Sequence, residues 1–472
     1  MVRFLLINPP SPEHLGTPLL GQQYVAAALL ARGCEVKVID AAARCSRVST
    51  DRILQIADDF RPDVIGFGLF TRWVFHAYQL ARALRGRAKW MVAGGAHVTA
   101  CPTEALDHGF DAVLAGEAEQ TIVQFAEAVA GRRRLETIPG LLVRGSDGAI
   151  VCGPPSEFVE DLDALEWPLE AQELFDPRWY DESGRTVIPG GILTSRGCPA
   201  RCTFCANYVT GRGFRYRSST DVVGELNAYY QRTGTTFFPF WDDALTANVP
   251  RVRELFRSFI EDVQFPLNWS AITRANMITP DLLSVMRRAG CVSANFGVES
   301  GDDDVLRAIK KGVKTDQVAR AIEWAKNEEL VVVCNFMLGF PEESPKALEN
   351  TLRFMQRIAP SVDFFSTLGV VVPFPGTPLY DVNHRRYGFT EWWLKPEYSG
   401  LPASPRDELD RTYRRYIDDA NLELDFFHYS EEMRQLIGEC LRFKGEHNLR
   451  KMGLLPDPVH QPWTAVTPGV TA

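Results

Sequence analysis

Short β-branched and aromatic runs alternate with amphipathic stretches in two separate blocks of this chain, which restricts it to α/β architecture built on parallel sheets. In the first block residues 4–8, 35–40, 64–68, 90–94 and 112–116 read as strands. Residues 21–32, 51–59, 74–85 and 118–130 read as the helices between them. This predicts a doubly wound sheet of about five strands, with ligands held at the strands' carboxyl ends. Those ends carry Asn8-Pro9-Pro10, Asp40, Gly68-Leu69-Phe70-Thr71, Gly94-Gly95-Ala96-His97 and Gly116-Glu117-Ala118-Glu119.

The rhythm is lost over residues 138–189, which contain Pro154-Pro155, acidic runs and a hairpin-like Gly145-Ser146-Asp147-Gly148. They read as a connector draped over the surface. A second alternation follows, with strands at 191–195, 236–241, 267–273, 292–298, 330–338 and 363–371 and helices between them. Six βα units are too few to close an eight-stranded barrel, so an open, partial barrel is expected, with its chemistry at the carboxyl ends of the strands. The remainder reads as a small helical region, with helices at 408–422 and 430–449 and a Pro-rich tail expected to be disordered. The expected divisions are therefore 1–137 for the Rossmann-like sheet, 138–189 for the linker, 190–385 for the partial barrel and 386–472 for the helical region.

Length and composition agree with two or three domains. The chain has 472 residues, 45% of them hydrophobic and 24% charged, as in globular proteins. Its net charge of −9 argues against a nucleic-acid-binding role, which usually needs a basic excess. The longest apolar stretches, such as 330–338, fall well short of the roughly 18–20 residues of a membrane span. Met1 leads directly into a strand-like run with no signal-peptide pattern, so a cytoplasmic location is expected.

Seven of the ten cysteines are scattered, and the other three fall within eight residues: Gly197-Cys198-Pro199-Ala200-Arg201-Cys202-Thr203-Phe204-Cys205. This segment follows the first strand of the second block, where an active site is expected. Thiolates suit soft iron–sulfur clusters. Three ligands for a four-iron cubane leave one iron open, and an open position is the mark of a catalytic metal. A zinc knuckle is the alternative, but it needs a nearby fourth ligand and no His lies between His108 and His384.

The spacing C-x-x-x-C-x-aromatic-C resembles the radical S-adenosylmethionine (SAM) superfamily. The resemblance implies a [4Fe–4S] cluster on Cys198, Cys202 and Cys205, whose open iron is chelated by the amino and carboxylate groups of SAM. It also implies SAM contacts from Phe204, from Asp242 and Asp243 for the amino group, from Arg274 for the carboxylate and from Glu299 for the ribose. Capping of the following helix is the alternative for the Asp pair, and a surface ion pair for Arg274. Cys334 to Glu342 resembles the family's fifth-strand segment near the adenine, and Pro373 to Pro378 its sixth.

Together with this barrel, the first block resembles the cobalamin-binding subclass of the superfamily, over roughly residues 1–385. The resemblance implies cobalamin contacts from Asn8, Pro9, Gly68, Leu69, Thr71, Gly94, Gly95, Gly116 and Glu117. The motif Asp-x-His-x-x-Gly, whose His ligates cobalt in part of the subclass, is absent, because no His has Asp two positions before it. Other members hold cobalamin without it, so His14 and His97 read as pocket or structural residues. A sheet that serves only as scaffold stays open as the alternative.

The activity implied is cobalamin-dependent methylation of an unactivated carbon in a small-molecule or lipid-like intermediate, fed by an external electron donor of flavodoxin or ferredoxin type. A radical cyclase or rearrangement enzyme of the same architecture is the alternative. A non-catalytic iron–sulfur protein is the third reading. Aromatic residues of the C-terminal region, such as Trp392, Trp393 and Tyr398, line a substrate cavity or pack a helical lid.

Overall fold

The computed structural model describes residues 1–11, 15–145, 148–184, 189–398 and 424–455. The expected helix at 408–422, the tail beyond 455 and His14 lie outside the described residues.

The first sheet contains β1 (Arg3–Asn8), β2 (Glu35–Asp40), β3 (Val64–Gly68), β4 (Trp90–Gly94) and β5 (Ala112–Leu114), ordered β2-β1-β3-β4-β5 and all parallel. α1 (Leu20–Ala31), α2 (Thr50–Phe60), α3 (Val74–Leu84), α4 (Ala96–Ala100), α5 (Glu104–Asp107) and α6 (Glu119–Val129) connect and cover it. Strands buried on both faces must be apolar throughout. In β1, Leu5 and Ile7 pack with α2 and α3, while Phe4 and Leu6 pack with α1 and α6. The register sets Asn8 beside Asp40 and Gly68 beside Gly94, so the carboxyl ends form one row.

The sheet has two more strands than expected. β6 (Leu141–Arg144) and β7 (Ile150–Cys152) form a hairpin that extends it antiparallel from β5. They belong to the stretch expected as a surface connector. That stretch is draped over the surface only in part: residues 150–158 are mostly exposed, but Leu169, Phe175 and Tyr180 are buried, and the Tyr180 hydroxyl donates to Asp40 Oδ2 at 2.6 Å. Leu169 joins one hydrophobic core, and Phe175 and Tyr180 join the other.

The second block begins with β8 (Ser195–Arg196), β9 (Arg215–Tyr216), α7 (Ser219–Thr233), β10 (Phe237–Phe240) and α8 (Val249–Asp262). It continues with β11 (Asn268–Thr273), α9 (Pro280–Arg288), β12 (Cys291–Glu299), α10 (Asp303–Ala308), α11 (Thr315–Asn327) and β13 (Val331–Leu338). It ends with α12 (Pro345–Ile358), β14 (Phe364–Val370), α13 (Pro378–Asn383) and α14 (Glu431–Lys451). Strands β10 to β14 form a parallel five-stranded sheet in sequential order. The expected first barrel strand holds its place only by a bridge between Ile192 and Phe240, because its residues turn away at Ser195 to pair β8 with β9. Several helices start from one local device: Thr279, Ser344 and Thr377 each accept an amide hydrogen bond in the first turn, and each is followed by Pro. The edge strand β14 is closed by the Asn448 side chain, which donates to the Phe365 carbonyl at 2.8 Å and accepts from its amide at 3.0 Å.

Candidate active site

β8 and β9 form the neck of the cysteine loop, pairing Ser195 with Tyr216 and Arg196 with Arg215. Gly197 opens the loop at φ +89°, and a Cβ there would lie 2.1 Å from the Gly213 carbonyl oxygen, so only glycine fits. The Gly197 amide donates to Asp243 Oδ2 at 2.9 Å, and the Thr210 hydroxyl donates to the same oxygen at 2.7 Å. Thr203 joins the loop to the end of α10 through its amide and to α13 through its carbonyl, at 3.0 and 2.9 Å. The loop is therefore held along its length.

Cys198 and Cys202 are buried and Cys205 is exposed. Desolvation and the neighbouring Cys202 and Cys198 push the Cys205 thiol up to about 11, so holding it as a thiolate near neutral pH calls for a cationic partner. A single zinc with Zn–S bonds of about 2.3 Å would gather its sulfurs closely. Among the described residues, these sulfurs do not form a group of donor atoms within 4.8 Å of one another. The wider spread suits a cubane, which interposes its own iron and sulfide between the ligands.

The SAM candidates converge on this loop from β10, β11 and β12. Arg274 directly follows β11; it donates through Nη1 to Cys202 Sγ at 3.3 Å and through Nη2 to the Lys311 carbonyl. Its Nε is buried without a partner. Glu299 ends β12 at φ +71°, a conformation a non-glycine residue rarely adopts and one concentrated at functional sites. Its Oε1 lies 2.5 Å from Lys311 Nζ. The pair sits over Gly297, where a Cβ would meet the carboxylate at 2.8 Å and the ammonium at 2.9 Å. Phe204 meets Phe340 at a tilt of 53°, with ring centroids 5.8 Å apart, and Lys311 Nζ lies 5.9 Å from the Phe204 centroid. Lys311 is the residue that sequence reasoning missed. Its only signal is Lys310-Lys311-Gly312 just after α10, and nothing in that spacing predicts a partner on β12.

The two aspartates behave differently. Asp242 is buried and accepts from the Thr194 amide at 3.1 Å, the Thr194 hydroxyl at 2.7 Å and the Ser195 hydroxyl at 2.5 Å. Burial pushes its carboxyl up despite the nearby Arg251 guanidinium. It ties β10 to the strand before the cysteines. Asp243 is exposed and stands at the mouth of the loop it caps.

The carboxyl ends of the first sheet border a cavity of about 310 Å³. Of the residues predicted to contact cobalamin, Asn8, Gly68, Gly94, Gly95, Gly116 and Glu117 line it. Pro9, Leu69 and Thr71 do not: Leu69 is fully buried in the core, and the Thr71 hydroxyl meets His97 Nδ1 at 3.2 Å. A Cβ on Gly68 would meet nothing within 4 Å, so the missing side chain is part of the empty space. Asn8 Oδ1, Gln22 Oε1 and Glu119 Oε2 are buried acceptors without partners, and all three residues line the cavity. A mostly apolar recess with unpaired acceptors suits a large organic cofactor that brings amide or hydroxyl donors. Cobalamin, with its amide side chains and benzimidazole end, meets that description.

His97, Cys101 and Glu104 bring donor atoms within 4.8 Å of one another. Glu104 already accepts from Tyr78 at 2.8 Å, from Trp393 at 2.9 Å and pairs with His97 at 3.0 Å, which makes the cluster a satisfied structural knot beneath α4. The contacts of His97 are structural, one of the two roles expected of it.

Residues 192–355 match the model of the radical SAM superfamily, and residues 15–126 that of the B12 binding domain. The chain is 29% identical to an uncharacterised methyltransferase of Pyrococcus horikoshii, covering 81% of this chain and 83% of that protein. It is 26% identical to the anaerobic magnesium-protoporphyrin IX monomethyl ester cyclase of Rubrivivax gelatinosus, covering 89% of this chain and 77% of that one. In fold it resembles the radical SAM methyltransferase TsrM of Kitasatospora setae, solved with cobalamin and a [4Fe–4S] cluster, with a TM-score of 0.65, 18% identity and coverage of 86% and 84%. The chain thus carries a B12 binding domain ahead of a radical SAM domain whose cysteine loop faces it, the combination found in the cobalamin-binding branch of the radical SAM superfamily.

Proposed function

We propose that this chain is a cobalamin-dependent radical SAM methyltransferase acting on an unactivated carbon of a small-molecule or lipid-like biosynthetic intermediate. The observation that carries the reading is the shared wall of the two sites. Arg196 and Thr210 of the cysteine loop and its neck line the same cavity as Gly68, Gly94 and Gly116 of the first sheet. Methyl transfer needs a radical generator and a methyl carrier to face one substrate, and a wall shared by the cysteine loop and the strand ends supports that reading.

Bound together, the cluster, SAM and cobalamin supply hydrogen-atom abstraction and a transferable methyl group. The chain's residues supply the positioning. Cys198, Cys202 and Cys205 would hold three irons. Arg274, with one N–H free, would receive the SAM carboxylate, Asp243 its ammonium and Glu299 its ribose. Asp242 serves this site indirectly by fixing β10 to the loop. Lys311 keeps the Glu299 carboxylate oriented, since the pair is almost fully buried and neither charge has water to turn to.

No described helix is long and apolar enough to cross a membrane. All ten cysteines are unpaired, which supports a reducing, cytoplasmic setting and reduction of the cluster by a flavodoxin- or ferredoxin-type donor.

The test is anaerobic reconstitution with iron, sulfide and hydroxocobalamin, followed by incubation of SAM labelled in its methyl group with cell extract and reductant. Label recovered in a carbon-bound methyl group is expected. Replacing Cys198, Cys202 and Cys205 by Ala should abolish iron binding and turnover together; iron retained at wild-type content in the triple variant would sink the assignment. A second reading, radical cyclisation without methyl transfer, is favoured by the similarity to the cyclase of Rubrivivax gelatinosus. SAM cleavage with no label in product selects it.

A further inference from the structure

Both ends of the cysteine loop are held by one carboxylate of the other domain. Arg215 donates to Glu117 in a bidentate pair, 2.8 Å from each nitrogen to its oxygen. Arg196, its cross-strand neighbour in the neck, lies 3.3 Å from Glu117 Oε1 and 2.6 Å from Glu119 Oε1. All four side chains are 3–8% exposed. Glu117 also accepts from the Val159 amide at 2.6 Å, and Arg215 donates to the Val159 carbonyl, so the linker is drawn into the same knot.

These are two guanidiniums against two carboxylates, a neutral buried quartet spanning 98 residues between Glu117 and Arg215. Such clusters add little net stability over apolar packing, because desolvation offsets the attraction. What planar bidentate pairing does supply is a fixed distance and direction. The quartet is also the cavity wall: Glu117, Glu119 and Arg196 line the space, and Tyr24, another lining residue, has the Arg196 guanidinium 5.2 Å from its ring centroid. From this wall to the loop the path is short. Arg215 donates to the Thr210 carbonyl at 2.7 Å, and Thr210 and Gly197 share Asp243.

We propose that Glu117 is a positioning residue: through Arg196 and Arg215 it sets the separation and orientation of the cysteine loop relative to the cavity. This assigns the carboxylate to the neck of the loop rather than to direct contact with cobalamin. The proposal rests on the reading of the loop as the cluster site and of the cavity as the cobalamin site.

The test compares full-length holoenzyme with its Glu117→Gln variant, each reconstituted with cluster and hydroxocobalamin and reduced so that cobalt and cluster are both paramagnetic. Magnetic relaxation of the cobalt signal by the cluster reports their separation. Glu117→Gln is expected to keep wild-type iron and cobalamin contents while the relaxation enhancement falls and the signal becomes heterogeneous. Glu117→Gln combined with Arg215→Gln restores charge balance without restoring the link, so it should fold and show the same loss. Wild-type relaxation in either folded variant overturns the proposal, as does failure of both variants to fold, which assigns Glu117 a structural role. If the wild-type protein itself takes up no cluster or no cobalamin, the functional reading fails instead.

Discussion

Replacing Gly68 by Leu should separate cobalamin binding from folding. Gly68 ends β3 with a φ that is not positive, so an L side chain costs no backbone strain there. A Cβ would meet nothing within 4 Å, because the position opens into the cavity of about 310 Å³. In the protein without cofactor the side chain enters empty space. Loss of glycine's freedom in the unfolded chain should then stabilise the fold by about 0.4–1 kcal/mol. With cobalamin seated, the same carbons overfill the site at a cost of about 1–3 kcal/mol. At about 1.4 kcal/mol per tenfold change, affinity should fall roughly 5- to 150-fold. Absorbance titration of the apoprotein with hydroxocobalamin reads the affinity, and thermal unfolding reads the stability. Iron content should not change, because none of Cys198, Cys202 and Cys205 lines the cavity into which the new side chain projects. A Leu variant that folds and binds cobalamin as tightly as wild type would show that the cavity is not the cofactor site. The neighbouring Gly66 gives the contrast: its Cβ would lie 2.9 Å from Leu6 Cδ2, so Gly66→Ala should lower stability.

Lys311→Met leaves the Glu299 carboxylate buried without its partner and should destabilise the fold by about 3–5 kcal/mol in denaturant unfolding; adding Glu299→Gln should recover most of the loss, and failure to recover would show that the pair is not coupled. Burial pushes the Glu343 carboxyl from 4.5 up to about 8, and its Oε1 has no partner. The folded chain thus retains a proton that the unfolded chain releases. Its contribution is complete below about pH 4.5, declines as pH rises and is lost once pH passes about 8. Glu343→Gln should remove this decline, measured as urea midpoint against pH; parallel profiles for variant and wild type would refute the assignment.

Much of this molecule was legible in its residues. Parallel strands buried on both faces must be continuous apolar runs, and helices covering them must be amphipathic. The alternation therefore placed β1 to β5 and β10 to β14 to within a residue or two at most ends. The cysteine spacing named the loop because ligands on one short segment meet without help from distant chain. The glycines at 68, 94 and 116 marked the cavity because only a missing side chain leaves room at a strand end.

What sequence did not determine are the pairings between distant segments. The hairpin β6–β7 joined the first sheet because β5 had an open edge. Tyr180 and Phe175 were buried because the space beneath that sheet needed filling. Asp242 and Asp243 are adjacent in sequence, yet one is spent on Thr194 and Ser195 while the other caps the loop. Lys311 acquires its meaning from Glu299, and Glu117 from Arg196 and Arg215. Local periodicity and spacing are written into a chain because they depend on neighbours a few residues apart. A buried charge finds its counter-ion only when the fold brings the two together, and desolvation then fixes which of the possible partners it must hold.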